Sequence, residues 1–106
     1  MSINNSQNVL LAPELSAVMT GSAVLIGTLL HSAAIIIFDN QGTALVGIST
    51  DGTTIWKTFT PGEALVLDLR SAQGKAPNFT IPAGTSFFGN GASGTFSISY
   101  VYAQEV

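Results

Sequence analysis

The side chains that could do acid–base chemistry in this chain are few and scattered. The carboxylates placed to be considered are Asp39, Asp51, Glu63 and Asp68, and His31 is the one histidine. Hydrolysis by paired carboxylates needs two of them facing each other, one with a raised pKa. Asp39 and Asp51 sit in turn sequences, where a short carboxylate bonds nearby backbone. Glu63 follows Pro61-Gly62 at a strand entrance. Asp68 stands two residues from Arg70 on one strand face, where the two can pair. A triad around His31 would need a nucleophile and an orienting acid, and a metal site would need further ligands. Between Leu30 and Ser32 it reads as a strand-end residue. No Asp/Asn run fits a calcium loop. The chain has no cysteine, which excludes disulfides and thiolate metal sites. The expectation is a protein that is not an enzyme, with no catalytic residue, no cofactor and no metal.

Two other patterns call for a test. Gly89-Asn90-Gly91-Ala92-Ser93-Gly94 matches G-x-G-x-x-G, which holds a dinucleotide when a strand precedes it and a helix follows. Here Thr95 to Ala103 follows and alternates as a strand, so the segment reads as a mobile hairpin tip. Trp56, Phe59, Phe79, Phe87 and Phe88 could stack on sugars or anchor an interface, although aromatics in a domain this small are usually core. Phe87 and Phe88 are adjacent, so in a regular strand one of them points away from the core. Asn4-Asn5-Ser6 and Asn78-Phe79-Thr80 match glycosylation sequons, which matter only on a secretory route. Met1 to Asn8 has no positive residue before an apolar run, unlike a secretory signal.

The elements that would position these residues are strands. Turn signals recur at Asp39-Asn40-Gln41-Gly42, Asp51-Gly52, Pro61-Gly62, Gln73-Gly74, Pro82-Ala83-Gly84 and Gly89-Asn90-Gly91. Intervals of roughly ten residues suit an antiparallel sandwich or barrel. Leu65, Leu67 and Leu69 share one strand face, opposite Ala64, Val66, Asp68 and Arg70. Phe96, Ile98, Tyr100 and Tyr102 share a core face, opposite Thr95, Ser97, Ser99, Val101 and Ala103. Ile35-Ile36-Ile37-Phe38 does not alternate, which predicts a strand covered on both faces, by a loop or by a partner chain. Val9 to Ala12 begins a strand that Pro13 stops, and Leu15 to Met19 reads as a short helical turn or an irregular edge. Residues 1–8 read as a polar arm, and residues 9–106 read as a single all-β antiparallel sandwich domain.

Leu15 to Phe38 is long enough to cross a bilayer as a helix. Thr20, Gly21, Ser22, Gly27, Thr28, His31 and Ser32 dilute it, and no Lys or Arg anchors its ends. It reads as two buried strands, with no membrane role.

Composition bears on partners. Charged residues are 8% of the 106-residue chain, with three basic and six acidic side chains, against about 25% in ordinary soluble domains. Mean hydropathy is +0.45, which excludes disorder for most of the length. Lys57, Arg70 and Lys75 are too few to neutralise a phosphate backbone, so no nucleic acid is expected. A surface of Ser, Thr, Asn, Gln, Gly and apolar residues suits protein neighbours. The competing reading is a monomer with a hydroxyl-rich coat.

Ile36-Ile37-Phe38-Asp39-Asn40, Val46-Gly47-Ile48-Ser49, Asp51-Gly52, Phe59-Thr60-Pro61-Gly62-Glu63-Ala64-Leu65 and Gly94-Thr95-Phe96-Ser97-Ile98-Ser99-Tyr100 together resemble the layout of small structural proteins of tailed bacteriophages, of capsid decoration (cement) type. The resemblance covers about two-thirds of the chain with turn-type motifs and carries no site residue. It implies a β-sandwich or jelly roll on the virion capsid surface, made in the bacterial host cytoplasm, that self-associates symmetrically as a homo-oligomer, binds across major capsid protein subunits and stabilises the head. The alternatives are a tail, baseplate or head-fibre module of the virion, partnered by other virion proteins, and a carbohydrate-binding β-sandwich using Trp56 or the aromatic pair.

Overall fold

The computed structural model describes residues 8–68 and 81–104. The described residues form nine strands: β1 (Asn8–Leu11), β2 (Leu15–Val18), β3 (Val24–Thr28), β4 (Ile35–Asn40), β5 (Val46–Ser49), β6 (Lys57–Phe59), β7 (Ala64–Asp68), β8 (Ser86–Gly91) and β9 (Thr95–Gln104). Both β1 and β2 pair with β9, Leu11 opposite Val101 and Leu15 opposite Ile98. They share one position at the sheet edge, interrupted by Ala12-Pro13-Glu14, because proline has no N–H to give to a ladder.

The first sheet therefore runs β1/β2, β9, β4, β7, and the second runs β3, β8, β5, β6. From β2 onward the chain alternates between sheets, except at the β5–β6 hairpin. This is an antiparallel sandwich of jelly-roll type; of the sandwich and barrel that the turn spacing allows, the chain forms the sandwich. The stretch from Leu15 to Phe38 holds strands, and no helix among the described residues is long and apolar enough to cross a membrane.

The alternating strands face as expected. Phe96, Ile98 and Tyr100 of β9 are fully buried, with Tyr102 packed against them. Leu65 and Leu67 of β7 lean on the core while Val66 is exposed. Phe87 points inward and Phe88 outward. Rings interlock at the centre: Phe59 meets Phe96 edge-on at 5.1 Å, and Phe38 meets Phe87 edge-on at 5.5 Å, separations at which aromatic pairs attract.

Three local expectations are corrected. No described loop of this chain covers the outer face of β4: Ile36, Phe38 and Asn40 are buried, whereas Ile35, Ile37 and Asp39 are only half-buried. The sequence run hid an ordinary in–out alternation because both faces are apolar. Leu15 to Val18 is a regular strand, held by four paired residues of β9. Gly89-Asn90-Gly91 is not the hairpin tip but the end of β8; the tip is Ala92-Ser93-Gly94, with Gly94 at φ 91°. The two strand glycines leave room for the core. A Cβ on Gly89 would stand 2.8 Å from the Met19 sulfur, and one on Gly91 would stand 2.7 Å from the Leu45 carbonyl oxygen.

Asn40, buried completely, ties three segments together. Its side-chain amide donates to the carbonyls of Ala44 at 2.9 Å, Thr60 at 3.0 Å and Phe59 at 3.2 Å, and its oxygen accepts from the Gly42 N–H at 3.1 Å. Residues 1–7 of the polar arm lie outside the described residues, and Asn8 already belongs to β1. Also outside are Leu69, Arg70, Gln73-Gly74, Lys75, Phe79 and both sequons.

Candidate functional site

The candidate acid–base residues are not brought together. Asp51 closes a turn, accepting the N–H groups of Thr53 and Thr54, each at 2.8 Å. Those two donors, Thr54 first, hold its pKa below the ordinary value. Glu63 accepts the Thr60 N–H at 2.9 Å and pairs with Lys57 at 3.0 Å. The Thr60 amide, then Lys57, lowers its pKa. Lowered carboxyls cannot serve as general acids near neutrality.

Asp39 lies on the outer face of β4, where the Gln41 amide reaches it at 3.3 Å. Asp68 ends β7, opposite Ile35. His31 is exposed in the β3–β4 loop and stacks flat on Tyr102, centroids 3.8 Å apart. The Tyr100 hydroxyl steadies this loop by accepting the N–H groups of Leu30 at 2.9 Å and His31 at 3.3 Å. Among the described residues no cluster of His, Cys, Asp and Glu could hold a metal.

What the strands do assemble is an apolar band on the outer face of the first sheet. Residues directly opposite in a ladder share a face. Leu11, Val101 and Ile35 are successive partners across β1, β9 and β4, and Ile37 stands opposite Val66 of β7. Leu11 is 72% exposed and Val66 58% exposed, while Ile35, Ile37 and Val101 are half-buried. Ser99 stands opposite Ile37 within the band and Asp68 opposite Ile35 at its end, the next row holds Asp39 and the buried Ser97, and no lysine or arginine among the described residues stands in these rows. The second sheet differs on its outer face. There Leu25 stands opposite a half-buried Phe88. Loop residues 50–56 fold back, so that Ile55 lies where a Gly47 side chain would be and Gly52 lies beside the Phe88 ring.

No family model and no curated protein matches the chain. Among solved structures, a chain from Bacillus endospore appendages, described as forming a novel family of disulfide-linked pili, is similar over 99% of this chain and 96% of its own length, at 14% identity and TM-score 0.46. The expectation of a phage capsid decoration protein is corrected accordingly. The similar solved chain belongs to a spore appendage and not to a capsid, so binding to major capsid protein and a place on the virion lose their support. The residues that suggested a phage protein are turn and core positions: Asn40 locks a turn, Val46, Ile48, Phe96 and Ile98 are core, and Pro61-Gly62-Glu63 is the β6–β7 turn. A jelly roll asks for such residues whatever its role. With no cysteine, this chain cannot make disulfide links of the kind named for that pilus family.

The outer band was only half visible in the sequence. Ile35-Ile36-Ile37-Phe38 signalled apolar residues on both strand faces. That Leu11, Val66 and Val101 join them depends on strand order and register.

Proposed function

We propose that this protein is a structural, non-enzymatic subunit that associates with copies of itself into an open polymer. The observation that carries the reading is the exposed apolar band of Leu11, Val101, Ile35, Ile37 and Val66 on a chain with only 8% charged residues. Exposed contiguous apolar surface marks interaction sites on otherwise soluble proteins. The two outer faces of the sandwich differ, and a front-to-back contact between unlike faces propagates into a fibre when its rotation does not close a ring.

Strand edges support the same reading. β3 carries a bulge between Leu25 and Gly27, the β1/β2 edge is broken by Pro13, and β6 is three residues long with a lysine. Bulges, prolines, lysines and shortness all discourage pairing with another chain. β7 has β4 on one side, no other described strand on the other, and neither proline nor lysine within it. It is the edge best suited to accept a strand from a neighbour.

Electron microscopy of the purified chain at rising concentration tests the proposal. Ordered filaments are expected from the wild type and not from Ile37→Lys. Isolated particles at every concentration would overturn it.

A further inference from the structure

The sandwich is not closed along its whole length. β6 ends its pairing at Lys57, opposite Ile48, so beyond that point the β5 edge has no partner among the described strands. There the sheets part around a cavity of about 370 Å³. Phe38 and Leu67 line it from the first sheet, Ile48 and Phe87 from the second, and Trp56 and Ile81 from the flanking segments.

Three rings shape it: Phe38 stands edge-on to Phe87 at 5.5 Å and tilted to Trp56 at 5.4 Å. Trp56 is anchored through its backbone N–H to the Ile48 carbonyl at 2.7 Å, yet it is 52% exposed. The remaining lining residues, Ser49, Thr50 and Thr85, carry hydroxyls, and no charged side chain contributes.

Magnitude and chemistry decide what such a space does. Protein interiors hold few voids larger than a water molecule. Apolar cavities of about 150 Å³ stay dry and take up benzene. This one is well above that and within the range of about 300–1,000 Å³ typical of small-molecule sites. A charged ligand would be buried without a counter-charge. A sugar would lose water from its hydroxyls to a wall of rings and aliphatic chains. A small apolar molecule releases water from the indole face and packs against a lining made mostly of rings and aliphatic chains.

We propose that the cleft beside Trp56 is a binding site for a small, uncharged aromatic or branched aliphatic molecule. The site is separate from the outer band, and the inference stands whether or not the chain polymerises.

The test uses p-xylene as the probe, added to the purified full chain. Trp56 is the sole tryptophan, so its fluorescence reports on the cleft alone. A saturable change is expected, with nuclear Overhauser contacts from the xylene methyls to Phe87 and Ile48. Thr85→Phe puts a ring into the space and is expected to weaken binding at least about tenfold without lowering the thermal midpoint, as cavity filling does. If that variant does not fold, Trp56→Ala supplies the same comparison through the nuclear Overhauser signals. Three results would overturn the proposal: no saturation up to the solubility limit, binding unchanged in the variant, or contacts in the free protein showing that residues 69–80 or a second copy already fill the cleft.

Discussion

At the residue scale, the side chains that look chemical turn out to organise turns. Asn40 is the clearest case. Removing its amide leaves the Phe59, Thr60 and Ala44 carbonyls short of a donor. Asn40→Ala is expected to cost about 2–3 kcal/mol in urea denaturation, the range for buried polar groups left unpaired. The two turn carboxylates make a pH prediction. Asp51 and Glu63 both have pKa values below their ordinary 3.8 and 4.5. The folded chain thus binds fewer protons than the unfolded chain in that region. Their stabilisation is present above those ordinary values and fades as pH falls through the lower folded values. Glu63→Gln is expected to be less stable than wild type near neutral pH and to converge with it in strong acid, measured by urea midpoints across the acid range. In the sequence, Asn40 reads as one of many turn residues. Its burial depends on the β6–β7 turn arriving over it from 20 residues further on, a pairing no local pattern encodes.

At the element scale, the alternating strands were legible and the special ones were not. Leu65 and Leu67, and Phe96 to Tyr102, declared their faces because large apolar side chains recur on one side while Asp68 and the Ser and Thr residues of β9 mark the other. β4 hid its alternation because the outward Ile35 and Ile37 are as apolar as the inward Ile36 and Phe38. Gly89 and Gly91 resembled a loop because their reason for being glycine lies on other elements. That reason is testable. Gly91→Ala would press its methyl on the Leu45 backbone oxygen, whereas Gly89→Ala meets the flexible end of Met19. Thermal denaturation is expected to show Gly91→Ala as the more damaging, by about 1–3 kcal/mol of overpacking strain, with Gly89→Ala milder. Equal effects would mean that β8 shifts as a unit.

At the scale of the whole molecule, fold class followed from turn spacing and from two good strands, while the partner did not follow at all. Scarce charge drew attention to the surface, but composition does not say what meets it. The phage-like layout misled because it consists of residues that shape a jelly roll. Placement supplies the rest: strand order gathers Leu11, Val101, Ile35, Ile37 and Val66 onto one face from four strands. Lysine on that face should keep subunits apart without harming the core, because Val66 is exposed. The most direct test of self-assembly through this band is sedimentation velocity of the purified wild type beside Val66→Lys, with matched unfolding midpoints. The account predicts large, concentration-dependent species for the wild type and a single slow boundary for the variant; a wild type that sediments as a monomer throughout, or a variant that assembles equally well, would contradict it.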